Sequence, residues 1–97
     1  MAQFDLYRLA SGVLAVDLQT DLIGIDASRV VAPLREAGAY AGFPGLTPEV
    51  VFDGSRWIVR IQELAAVPGH ELGNHVGSLA EHRDAIKRAL DILIDGF

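Results

Sequence analysis

Apolar residues in this 97-residue chain come in short runs separated by turn-forming residues. Runs such as residues 22–25 and 30–33 are far shorter than the roughly 20 residues that a membrane-spanning helix needs. Runs of this length favour short β-strands joined by tight turns. Because apolar residues nevertheless make up 51% of so small a chain, we expect further burial between two copies, that is, a homodimer.

Alternating apolar and polar residues predict two hairpins. The first joins residues 4–9 to residues 13–18 through a three-residue turn. The second joins residues 49–52 to residues 57–61 around Asp53-Gly54, a strong hairpin signal.

A third strand is predicted between the hairpins, at residues 29–34. Pro33 indicates an edge or an end position for it, because proline cannot donate a ladder hydrogen bond. Residues 35–47, rich in glycine and small residues, predict a loop. After the second hairpin, residues 64–67 form a brief apolar segment that ends in the turn signal Pro68-Gly69.

The last predicted element is an amphipathic helix. Ser78 and Glu81 have the spacing of a capping box, in which each side chain binds a free backbone amide, and Gly96 fits a left-handed stop at the helix end. Apolar residues recur at helical spacing at Leu79, Ile86, Ala89, Leu90 and Leu93. With five or so strands before it, this helix completes a mostly β chain that we expect to be a small antiparallel barrel.

The charge balance limits the partners. Thirteen acidic residues against eight basic ones give a net charge of -5, and no basic stripe is present. We therefore expect no direct contact with nucleic acid and none with an anionic membrane. Residues 1–5 lack the basic and apolar regions of a signal peptide, which predicts a cytoplasmic location. Without cysteine, the chain has no disulfide or thiolate chemistry.

Three histidines lie near the predicted helix, but their spacing argues against a metal site. His70 and His75 are five residues apart, whereas the zinc-protease motif places its histidines four apart on one helical face. We interpret them as polar loop residues, and His82 as a solvated residue of the first helical turn. Because the glycines form no phosphate-binding pattern and no serine lies in a nucleophile elbow, we predict neither a cofactor nor an enzymatic activity.

Asp17, Asp21 and Asp26 crowd one predicted strand and the loop after it. They could be paired acids of an active site, but we interpret them as a solvated, turn-forming cluster. Between Asp21 and Asp26 lies the apolar segment 22–25, and the chain ends in a second apolar segment, residues 92–97. Core packing and a protein-binding patch both explain these segments.

Taken in order, a set of residues along the chain resembles a known family. In the first half the set comprises Gln3, Phe4, Tyr7, the segment 16–23 and the segment 29–34. In the second half it comprises Trp57, Ala66-Val67-Pro68, Gly73, Val76, Leu79, Ile86-Lys87, Ala89 and Gly96. The set covers nearly the whole chain and resembles the CcdB family, the toxins of the ccd toxin–antitoxin system.

The resemblance implies a single CcdB-like toxin domain over residues 1–97, with the SH3-like antiparallel barrel of CcdB, MazF and Kid proteins and a C-terminal helix. It implies a homodimer that binds the A subunit of DNA gyrase and traps the gyrase–DNA cleavage complex, without catalysis by the toxin. A CcdA-like antitoxin with a disordered tail would neutralise it.

The resemblance also implies a set of gyrase-binding residues. The matching positions in this sequence are Thr20, Leu22, Ile23, Asp91, Ile94, Asp95, Gly96 and Phe97. They fall at the two apolar segments described above. Ile94 and Asp95 follow Asp91 by three and four residues, so the three share one face of the predicted helix.

Some positions depart from the family pattern. Family toxins end in Trp-Gly-Ile, where the tryptophan packs on gyrase, whereas this chain ends in Asp95-Gly96-Phe97. Losing the indole removes a large stacking surface, which predicts weaker gyrase binding. Asp91 replaces an asparagine, and the turn at residues 10–12 is shorter and less basic than in the family, which bears on antitoxin recognition.

Two other functions remain open from the sequence. One is an endoribonuclease toxin of the MazF and Kid type, in which Arg29, Arg56 or Arg60 would hold RNA and stabilise the cleavage transition state. The other is a CcdB-fold protein that has lost toxicity and acts as a protein-binding module, which Asp95 would explain.

Overall fold

The computed structural model describes residues 2–20, 28–38 and 42–96, which form seven strands and one α-helix. The elements are β1 (Asp5–Arg8), β2 (Leu14–Asp17), β3 (Ser28–Glu36), β4 (Glu49–Phe52), β5 (Ser55–Val59), β6 (Ala65–Pro68), β7 (Asn74–Ser78) and α1 (Arg83–Asp95). This mostly β architecture with a C-terminal helix confirms the fold class predicted from the sequence. In the described part of the chain, no helix is long and apolar enough to span a membrane.

All strands pair antiparallel in one sheet that curls into a half-barrel. The order is β4-β5-β3-β2-β1-β7, and β6 pairs with β3. The curl brings the two edge strands together, because the Phe52 ring of β4 lies against Gly77 of β7. A Cβ atom at Gly77 would lie 2.7 Å from the Cε1 atom of Phe52, so a side chain there would displace the ring.

Both predicted hairpins are confirmed, and local turn chemistry explains them. In the β1–β2 turn, the Leu9 amide donates to the Val13 carbonyl at 2.9 Å, and Gly12 has a positive φ of 90°. In the β4–β5 turn, Asp53 and Gly54 both have positive φ values, 54° and 77°. Two consecutive residues of this kind form the turn that matches the right-handed twist of paired strands.

The predicted edge or end position of Pro33 is wrong, because β3 is an interior strand. It pairs with β2 on one side and with β6 and then β5 on the other. The pairing with β6 ends at Val31 and the pairing with β5 begins at Leu34. The Pro33 carbonyl faces this break and accepts from the Arg60 amide at 2.9 Å. Since the amide and carbonyl of one strand residue point the same way, the missing proline N–H also faces the break and removes no ladder bond.

The helix begins later than the capping box predicts. The Ser78 hydroxyl accepts from the Ala80 amide at 3.1 Å, a contact two residues along the chain, and a 3-10 turn at Ala80–His82 precedes α1. His82 occupies the N-cap position and makes no side-chain cap. The predicted C-terminal stop is confirmed, since Gly96 has a φ of 83° and its amide donates to the Ile92 carbonyl at 2.9 Å.

The core lies between the concave face of the sheet and α1. Leu6 and Val16 of the sheet and Ile86 and Ala89 of α1 are all fully buried in one cluster. The alternate residues of the same strands point to the opposite face, which we call the outer face. A smaller buried cluster covers part of it, with Tyr7, Ala15, Val31 and Leu72 as its members.

Candidate functional site

The end of α1 carries the most exposed large apolar side chain in the described part of the chain. Ile94 is 73% exposed, compared with 61% for Val51 and 52% for Phe43. Leu93, its neighbour, packs against the main core. Core packing therefore explains Leu93 but not Ile94, whose side chain is accessible to a partner.

Two carboxylates flank Ile94 on the same face of the helix. Asp91 and Asp95 are both exposed, and neither has a hydrogen-bond or ion-pair partner among the described residues. No basic residue occupies the last turn of α1, although that is where a positive charge would stabilise the helix dipole. An acid in that turn, as Asp95 is, costs roughly 0.3–1 kcal/mol of helix stability. An exposed apolar side chain beside two exposed acids, one of them placed against helix preference, is typical of a surface that serves recognition rather than folding.

The structure places some of the predicted gyrase-binding residues and not others. Asp91, Ile94, Asp95 and Gly96 lie together at the end of α1, and Thr20 is half-buried three residues after the end of β2. Leu22, Ile23 and Phe97 lie outside the described residues. The relation between the two predicted patches therefore stays a prediction.

A buried ion pair joins Asp17 and Arg29, which precede and follow in sequence the segment that contains Leu22 and Ile23. The Arg29 Nη2 atom is 2.7 Å from Asp17 Oδ2, and its Nε atom donates to the same oxygen at 3.0 Å. The two side chains are 2% and 0% exposed. The interpretation of Asp17 as part of a solvated acidic cluster is thus wrong: its side chain is buried, and its arginine partner offsets the cost of burying its charge. Asp21 and Asp26 lie outside the described residues.

Gln19 extends this pair into a network between β2 and β3. Its backbone amide donates to Asp17 Oδ1 at 3.0 Å, and its backbone carbonyl accepts from Arg29 Nη2 at 3.2 Å. Its side-chain Oε1 accepts from the Val30 amide at 3.2 Å. The network ties the residues just after β2 to the first residues of β3. Sequence reasoning missed it, and the only available signal was an acid and a base at facing ends of two predicted strands.

The histidines are placed differently from the prediction. His75 lies in β7 rather than in a loop, with its ring edge-on to Tyr7 at a centroid distance of 5.5 Å and its Nε2 atom 3.4 Å from Asp5 Oδ1. His70 lies in a separate 3-10 turn. Over residues 2–20, 28–38 and 42–96, no three His, Asp or Glu side chains form a group that could hold a metal ion.

The three arginines considered for RNA cleavage all have carboxylate partners. Arg29 is buried against Asp17, and the Arg60 Nη2 atom is 2.8 Å from Glu63. Arg56 is exposed, and its Nε atom donates to Glu49. That hydrogen bond holds the pKa of the Glu49 carboxyl below its ordinary value, and the same contact raises the pKa of the Arg56 guanidinium.

Replacing Arg56 by alanine should return the pKa of Glu49 to its ordinary range. A carboxyl with a lowered pKa stabilises the fold above its unfolded pKa and loses that contribution as the pH falls through the folded pKa. Because both side chains are exposed, we expect the urea unfolding midpoint at neutral pH to stay the same. An NMR titration of the Glu49 carboxyl carbon measures the shift, and an unchanged pKa in Arg56→Ala would show that another group causes it.

The fold is shared with a solved structure described as an endoribonuclease from mycobacterial species. The two superpose with a TM-score of 0.79, over 97% of this chain and 90% of that chain, at 16% sequence identity. At this identity the similarity shows a common barrel-and-helix fold and no activity. The family model for the CcdB protein matches residues 3–96, and the chain therefore belongs to the CcdB family. Membership supports a toxin component of a toxin–antitoxin system.

Proposed function

We propose that this chain is a toxin that binds the A subunit of DNA gyrase and traps the gyrase–DNA cleavage complex. It acts by protein–protein binding without catalysis, as a cytoplasmic homodimer, and a CcdA-like antitoxin neutralises it. Membership of the CcdB family supports the toxin role. The observation that carries the proposal further is Ile94, which is 73% exposed at the end of α1 beside the exposed carboxylates of Asp91 and Asp95.

The chemistry of this helix end defines what it recognises. Burial of the Ile94 side chain against a partner would stabilise the complex, by roughly 1.5–3 kcal/mol if the burial is complete. Asp91 and Asp95 add charge-assisted contacts to basic side chains of the partner. Compared with the aromatic residue of family toxins, Asp95 exchanges stacking area for charge, so we expect gyrase binding to weaken steeply as salt concentration rises.

Restoring the aromatic residue tests whether the rest of the interface is intact. Asp95→Trp should bind the dimerisation region of the gyrase A subunit at least about tenfold more tightly, because a tryptophan in an interface contributes a large desolvated surface. Isothermal titration calorimetry of both proteins against that fragment measures the difference. Equal affinities would show that the surrounding patch does not bind gyrase as proposed.

A second candidate function is RNA cleavage, because the solved structure with this fold is described as an endoribonuclease. The ion pairs of Arg29, Arg56 and Arg60 weigh against it, since an arginine held by a carboxylate is a poor anion ligand. Incubation of the purified protein with RNA decides between the two. Discrete fragments that disappear with Arg56→Ala would favour RNA cleavage over gyrase binding. Intact RNA would rule out the nuclease function.

A toxin and a non-toxic binding module differ in the cell. Induced synthesis of the protein in a bacterial host without the antitoxin should arrest growth if the toxin proposal is right. Unimpeded growth with a soluble, folded product would favour a CcdB-fold protein that retains binding and has lost toxicity.

A further inference from the structure

One end of the concave face of the sheet contains a pocket of about 270 Å³ that the core side chains do not fill. Leu14 and Leu34, each 2% exposed, form its floor, and the indole of Trp57 forms one wall. Arg8 and Glu36 line its rim and are both exposed. Because ligand pockets usually enclose about 300–1,000 Å³, this volume suits a molecule at the small end of that range.

The strand registers place a base and an acid on the same face of the sheet. Arg8 of β1 pairs with Leu14 of β2, and Glu36 of β3 pairs with Trp57 of β5. Paired residues share a face of the sheet, as do residues two apart on one strand, so Arg8 and Glu36 both belong to the concave side. Since β2 lies between β1 and β3, the backbones that carry the two charges are about 10 Å apart across the sheet.

The two charges are not neutralised within the chain. Among the described residues, neither Arg8 nor Glu36 has an ion-pair partner. Arg35 also lines the pocket, but its Nη2 atom is 3.5 Å from the Glu63 carboxylate. The Arg8 Nη1 atom donates to the Gly12 carbonyl at 3.0 Å, and the other donors of this guanidinium have no partner in the described part of the chain. The pocket thus offers a cation and an anion on opposite sides of an apolar floor.

The wall formed by Trp57 is held in place before any ligand binds. The Trp57 Nε1 atom donates to the Phe52 carbonyl at 3.2 Å within the β4–β5 hairpin, and the ring packs against the main core. A fixed indole offers a flat apolar surface at little cost in side-chain entropy. An apolar group of a ligand can therefore pack between the indole and the floor.

We propose that this pocket binds a small zwitterion with an apolar body, an amino acid such as phenylalanine. The carboxylate of the ligand pairs with the Arg8 guanidinium, its ammonium group pairs with the Glu36 carboxylate, and its side chain packs on Trp57. A zwitterion matches both charges, whereas a simple anion or cation would leave one of them without a partner. The site shares no residue with the end of α1, so the proposal goes beyond the proposed function and does not rest on it.

A titration of the wild-type protein with three related compounds tests this site. In amide-correlation NMR spectra, L-phenylalanine should shift the backbone signals of Leu14 and Leu34 and the indole signal of Trp57 in a saturable way. Phenylpropionate, which lacks the ammonium group, and phenethylamine, which lacks the carboxylate, should bind at least about fivefold more weakly.

Two variants assign the charges. In Glu36→Gln, phenylalanine should bind no more tightly than phenylpropionate, because the partner of the ammonium group is gone. In Arg8→Gln, phenylalanine should bind no more tightly than phenethylamine. Arg88→Gln removes an exposed arginine from α1 as the matched control, and it should keep the wild-type affinity within about twofold. Circular dichroism confirms that each variant is folded, and the titration of the wild type stands even if one is not.

The proposal is overturned if phenylalanine causes no saturable shift at millimolar concentration, or if both analogues bind as tightly as phenylalanine. It is also overturned if Arg8→Gln and Glu36→Gln bind phenylalanine as Arg88→Gln does. Because the titration uses neither gyrase nor RNA, its failure is distinguishable from a failure of the proposed function.

Discussion

Replacing Arg29 by methionine is expected to destabilise the fold by about 3–5 kcal/mol, the largest effect of any single substitution proposed for this chain. The substitution leaves the buried carboxylate of Asp17 without its cationic partner. Asp17 is 0% exposed, and its closest cationic contact is the Arg29 guanidinium at 2.7 Å. Urea unfolding followed by the fluorescence of Trp57, at one fixed protein concentration, measures the loss.

Two controls show whether the loss of stability is specific to the buried ion pair. Arg56→Met removes the partner of Glu49, which is exposed, and should leave the unfolding midpoint unchanged. The double variant Asp17→Leu/Arg29→Met removes both buried charges and should recover much of the loss, because two apolar side chains of similar volume need no charge partner. If Arg29→Met is as mild as Arg56→Met, the Asp17–Arg29 pair does not support the fold.

Replacing Ile94 by alanine should weaken gyrase binding by about 2 kcal/mol, or roughly 30-fold, without lowering the stability of the protein. Ile94 is 73% exposed, so its truncation leaves no cavity, and alanine is the better helix former. The affinity for the gyrase A fragment and the thermal unfolding midpoint of the same preparation give the two readouts.

Val51→Ala is the matched control for this prediction. Val51 is 61% exposed, but it lies on edge strand β4 rather than on α1. Its truncation should leave gyrase affinity within about twofold of the wild type. An Ile94→Ala protein that binds like Val51→Ala would show that the end of α1 takes no part in recognition.

Local signals predicted the parts of the fold that depend on neighbouring residues. Asp53-Gly54 specifies its turn through positive φ at both positions, and Gly96 ends α1 in the same way. Strand β7 was missed because Asn74 and His75 carry no apolar alternation, and the segment is a strand only through its pairing with β1. Its position depends on a contact distant in the sequence, which no local pattern reports.

In the candidate site, too, the sequence predicted the features that depend on neighbouring residues and missed a contact between distant ones. Helical periodicity alone placed Asp91, Ile94 and Asp95 on one face, and the structure confirms that all three are exposed there. The pairing of Asp17 with Arg29 was not predictable from alternation, which separates polar from apolar residues but does not say which polar residues are buried together. A charged residue in a predicted strand that faces an opposite charge on the next strand is a signal for such a pair.

The central claim is that this chain traps gyrase on cleaved DNA, and one assay tests it most directly. The purified protein is incubated with DNA gyrase, supercoiled plasmid and ATP, the complexes are denatured, and linear DNA is quantified. If the toxin traps the complex, linear DNA will be well above the toxin-free control, lower with Ile94→Ala and undiminished with Val51→Ala. No linear DNA, together with no measurable binding to the gyrase A dimerisation region, would show that this chain is not a gyrase poison.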